Sequence, residues 1–148
     1  MEFVHRSWPA RASELPAIRR ELVRWLEPLG LSEDEIADLV LAVDEAVENV
    51  LEHAYRPDQS GQVELTLWTE SDALSIEVVD HGRWRPPNGG SGPPRGGLGI
   101  RLMQTMAEAV LIRFDERGSR VLLRHRLPHA APGPREETGE GDSPEPTA

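Results

Sequence analysis

The 148-residue chain carries 16 basic and 26 acidic side chains for a formal charge of −10, and every basic residue is an arginine. With neither lysine nor cysteine, the chain cannot use a P-loop lysine, Schiff-base chemistry, the strand lysine of eukaryotic-type protein kinases, a thiol nucleophile or cysteine-ligated zinc. The acidic balance opposes contact with a phosphate backbone, and no stretch approaches the ~20 apolar residues of a membrane span, so the expectation is a cytoplasmic protein that binds neither nucleic acid nor membrane directly.

Glu2 to Trp8 alternates as an edge strand and Pro9 ends it, because proline cannot donate to a ladder. Ser13 offers an N-cap for a first helix carrying Leu15, Ile18, Leu22, Leu26 and Leu29, closed by Gly30. Ser32 with Glu35 predicts a capping box for a second, longer helix. Its buried stripe is Ile36, Val40, Val43, Val47, Val50 and Ala54, and Arg56-Pro57 stops it. Gly61 to Thr69 and Ala73 to Asp80 read as a hairpin around Glu70-Ser71-Asp72. A glycine- and proline-rich loop follows from His81 to Arg95, then a third helix marked by Leu98, Leu102, Met106 and Ala109. Val110–Phe114 and Arg120–Leu127 pair around Glu116-Arg117-Gly118 as a second hairpin.

Hairpins in place of parallel crossovers predict an α+β fold, a two-layer sandwich whose mostly antiparallel sheet is covered on one face by helices. The domain spans 1–128. Residues 129–148 hold four prolines, five carboxylates and little apolar content, and they read as a disordered acidic tail.

Three motifs carry chemistry. Glu45 and Asn49 lie four residues apart on one face of the second helix, suited to a water or hydroxyl and to a metal. Asp80-His81-Gly82 follows a strand, where the carboxylate could accept the amino group of a base approaching Gly82. Gly96-Gly97-Leu98-Gly99 opens a helix, placing backbone N–H groups and a partial positive charge where phosphates bind. Alone, the first also fits a solvated helix face, the second a strand-ending turn and the third a hinge with a cap. In this order they point to an ATP site.

The segment from Leu41 to Tyr55, LAVDEAVENVLEHAY, resembles the asparagine box of the ATPase superfamily that contains gyrase, the heat-shock chaperone ATPase and the sensor histidine kinases. Asp80-His81-Gly82-Arg83-Trp84 is similar to its first glycine box, and Gly96-Gly97-Leu98-Gly99-Ile100-Arg101-Leu102-Met103 to its second. Within the superfamily the anti-sigma-factor serine kinases are the nearest likeness, over about residues 3 to 127.

The resemblance implies that Glu45 is the general base toward a serine hydroxyl and that Asn49 coordinates magnesium bridging the phosphates of ATP. Asp80 and Gly82 would hold adenine, while Gly96, Gly97 and Gly99 would form the phosphate loop. The implied partners are a sigma factor and a small anti-sigma-factor antagonist that accepts phosphate on serine, with a homodimer as a further expectation. A non-catalytic ATP-binding module that regulates partner proteins is the alternative.

Overall fold

The computed structural model describes residues 3–83 and 109–128. Strand β1 (Phe3–Pro9) leads through a short 3-10 turn, Ala12–Glu14, into helix α1 (Leu15–Leu26). A second 3-10 turn, Glu27–Leu29, ends at Gly30 in the left-handed region, and helix α2 (Glu33–His53) follows. Strands β2 (Gln62–Glu70) and β3 (Ala73–Asp80) form one hairpin. Strands β4 (Ala109–Asp115) and β5 (Gly118–Arg126) form another. All pairings are antiparallel and the strand order is β1-β2-β3-β5-β4. The described residues thus make the expected α+β sandwich.

Period-two alternation sets which face the helices cover. Val63, Leu65 and Leu67 of β2, Leu74, Ile76 and Val78 of β3, and Val121 and Leu123 of β5 are buried on one face. Against them pack Ile18, Leu22 and Leu26 of α1 with Leu39, Ala42, Val43, Ala46, Val47 and Val50 of α2. Truncating one of the fully buried leucines to alanine costs about 2–5 kcal/mol, from lost transfer energy and the cavity left behind. Small residues at 42 and 46 widen the buried stripe of α2 beyond the valines, while Ile36 and Val40 are only half-buried. No described helix is long and apolar enough to cross a membrane.

Two local expectations are corrected. Ser13 does not cap α1: it sits inside the 3-10 turn, and α1 starts after Glu14 with a proline in its first positions and no side-chain cap. Proline lacks the N–H that a cap would otherwise satisfy, so this start needs less help. Ala109 belongs to the beginning of β4, opposite Arg124, because ladder pairing claims it. The rest of the expected third helix, the loop from 84 to 95 and the acidic tail lie outside the described residues.

Candidate functional site

Helix α2 is the platform of the site. Its start is locked by the capping box, with the Ser32 N–H donating to Glu35 Oε2 at 2.7 Å and the Glu35 N–H donating to Ser32 Oγ at 3.1 Å. His125 of β5 lies 3.3 Å from the other Glu35 oxygen. The Ser32 backbone bond, aided by His125, holds the Glu35 carboxyl below its ordinary pKa. Further along, Arg19 of α1 grips Asp44 with two bonds of 2.7 and 2.9 Å. That fork fixes the rotation of α2 against α1 as well as pairing the charges.

Glu45 and Asn49 are half-buried and point away from the valine stripe, whereas Glu48 and Glu52 are exposed. Burial pushes the Glu45 carboxyl above its ordinary pKa, and the neighbouring charges of Glu48, Asp44 and Glu52 push it the same way. A carboxylate tuned upward is a better proton acceptor near neutral pH than an ordinary one.

The second part of the site is the turn that ends β3. Asp80 is 1% exposed, and its side chain is held by the Ser119 hydroxyl and by the Gly82 N–H at 3.0 Å. Ser119 stands opposite Asp80 in the β3–β5 ladder. Gly118, at φ +140°, makes that close pairing possible, since a Cβ there would run into the Asp80 carbonyl. Tyr55, just beyond α2, donates its hydroxyl to the Gln62 carbonyl at 2.7 Å and accepts the His81 N–H at 3.1 Å. Burial raises the Tyr55 pKa, so the phenol stays protonated and able to donate. The His81 ring in turn lies 3.0 Å from a Glu64 oxygen.

Gly82 is buried, and a Cβ at this position would strike the carbonyl oxygen of Ala54 at the end of α2. The need for glycine thus comes from the approach of this turn to the helix, a contact the motif alone did not indicate. The same approach places the Asp80–Gly82 turn at the C-terminal end of α2. Counting back from Ala54 at 1.5 Å per residue, Asn49 lies about 7.5 Å and Glu45 about 13.5 Å along the helix axis. The turn carrying Asp80 and Gly82 thus meets the end of α2, and Asn49 and Glu45 lie progressively farther back along that helix, while Gly96, Gly97 and Gly99 lie outside the described residues.

Among the described residues, Asp80 could hold the base of a nucleotide and Asn49 a metal. A buried carboxylate already oriented by two donors is suited to accept an amine hydrogen of adenine. Magnesium takes few protein ligands and completes its octahedron with phosphates and water, so the single amide oxygen of Asn49 matches its needs. Ser119 and Tyr55, which fix the turn, were not apparent from sequence. Their partners are 39 and 26 residues away, and only their positions opposite strand β3 and at the helix end would have drawn attention to them.

Residues 8–125 match the histidine kinase-like ATPase domain, and the chain belongs to that family. It is similar to the serine-protein kinase RsbW of Bacillus licheniformis, 32% identical over 127 residues that span 77% of this chain and 79% of that protein. RsbW of Bacillus subtilis is 29% identical over 125 residues, covering 76% and 78%. Among solved structures, that of the RsbU and RsbW domains of a Mycobacterium tuberculosis protein superposes with a TM-score of 0.68 at 26% identity and covers 86% of this chain. The match spans 33% of that longer chain.

Proposed function

We propose that this chain is a cytoplasmic, Mg-ATP-dependent protein serine kinase that binds a sigma factor and phosphorylates a serine of a small anti-sigma-factor antagonist. The observation that carries the reading is Glu45: a half-buried carboxylate with an elevated pKa, one helical turn from Asn49 on the helix that meets the Asp80–Gly82 turn. Similarity to proteins named serine-protein kinases supports the reaction class.

Glu45 would take the proton of the substrate serine as its oxygen attacks the γ-phosphorus of ATP and the bond to the β-phosphate breaks to release ADP. Asn49 would hold the metal, and Asp80 with Gly82 the adenine, so that the base and the phosphates are positioned along one rigid helix. Bound Mg-ATP supplies the phosphoryl group and neutralises its charge. Arg19 holds the adjacent carboxylate of Asp44 in an ion pair.

The test is to capture partners with and without Mg-ATP, identify them by mass spectrometry and assay each for phosphoserine after incubation with the kinase and Mg-ATP. Phosphate on a serine of a small captured partner is the expected result. ATP-dependent capture without transfer to any partner would replace the kinase with a non-catalytic ATP-binding regulator.

A further inference from the structure

The face of the sheet turned away from the helices is basic along β4 and β5 in a strongly acidic protein. Because Val121 and Leu123 point into the core, Arg120, Arg124 and Arg126 project from the opposite face, and Arg113 joins them across the β4–β5 ladder from Arg120. All four are exposed. Glu77 lies 3.6 Å from Arg120. No ion pair engages Arg113, Arg124 or Arg126 among the described residues. Between these arginines sit Leu111, 59% exposed, and Leu122, its ladder partner.

The chain leaves this region at its acidic end. Leu127 is tied by its N–H to the Asp72 carbonyl at 2.6 Å, and Pro128 lies beside Gly30, just before α2 begins. Two surfaces are therefore within reach of residues 129–148, which carry five carboxylates against one arginine. The start of α2 presents Glu33, Asp34, Glu35 and Asp38 and repels such a segment. The arginine face attracts it. Glu136 is eight residues beyond Pro128, a reach of up to about 26 Å, whereas Arg126 to Arg120 covers about 20 Å of strand. Tethering also gives the segment an effective concentration that a separate chain would not have.

We propose that the acidic segment 129–148 binds the arginine-bearing outer face of β4 and β5 in the same chain through electrostatic attraction. This goes beyond the kinase reading and is tested without reference to activity. Because the chain has no cysteine, Ser143→Cys gives one site for a nitroxide label on the full-length protein. Amide signals of Leu111, Arg113, Arg124 and Arg126 are expected to lose about half their intensity or more near 10 mM salt, where the screening length is about 30 Å, and to regain it near 1 M, where it is about 3 Å.

The variant E136Q/E137Q/E140Q/D142N/E145Q, confined to the segment, should abolish the attenuation, and Arg113→Glu with Arg124→Glu should do the same from the other side. Absence of attenuation at low salt, attenuation that survives neutralising the segment, or attenuation centred on α2 would overturn the proposal. Equal attenuation in a mixture of spin-labelled chains and separate isotope-labelled chains would assign the contact to a second copy and overturn the arrangement within one chain.

Discussion

Glu45→Gln keeps nearly the same shape and removes the charge, and the structure gives its two consequences opposite signs. Catalysis should fall by roughly the 10²- to 10⁴-fold that a positioned base supplies, about 2.7–5.4 kcal/mol on the barrier. Binding of Mg-ATP should change by no more than a few-fold, because Asn49 and Asp80, the residues proposed to hold the metal and the adenine, are untouched. Stability should rise at neutral pH. Desolvation, then Glu48, Asp44 and Glu52, place the folded-state pKa of Glu45 above its unfolded value, so the folded protein favours the protonated form. That preference is fully present below the ordinary carboxylate pKa of about 4.3 and is lost as pH rises through the elevated folded value, leaving a charge penalty at pH 7 that glutamine lacks. The assays are phosphate transfer to a captured antagonist, nucleotide calorimetry, and thermal melts at pH 7 and near pH 4. Wild-type transfer by the variant, or a melting temperature below that of the parent at pH 7, would refute the reasoning. The rate of the parent should also decline on the acid side at a higher pH than an ordinary carboxylate would produce.

Asp80→Asn should fold, since its oxygen can accept from the Gly82 N–H while the Ser119 hydroxyl rotates to accept from the new amide. If Asp80 holds adenine as proposed, the same exchange puts a donor where the base needs an acceptor, so ATP affinity measured by calorimetry should drop by about 1–3 kcal/mol, and the parent should prefer ATP to GTP. Gly82→Ala drives a methyl into the Ala54 carbonyl and should lower the melting temperature and separate the Asp80 turn from α2, seen as weaker nucleotide binding; an unchanged melt would show that the two approach less closely. Arg19→Ala removes an exposed but bidentate pair with Asp44 and should cost about 0.2–1 kcal/mol in denaturant titrations, less at high salt.

Much of this protein is legible locally. The capping box at Ser32 and Glu35, the αL glycine at 30, the valine stripe of α2 and the two hairpins each depend on residues a few positions apart, where propensity and hydrogen-bonding geometry act without knowledge of the rest. Glu45 and Asn49 share a face for the same reason. What tertiary structure alone decided is how distant segments meet. Alternation in β4 and β5 cannot say that β5 rather than β4 lies beside β3, yet that choice sets Ser119 against Asp80. Nor does the motif around Gly82 disclose that its missing side chain makes room for the Ala54 carbonyl, or that the Tyr55 hydroxyl bridges two strand ends. Most of these contacts join residues tens of positions apart, so their register comes from burying the apolar faces of the five described strands and two described α-helices together.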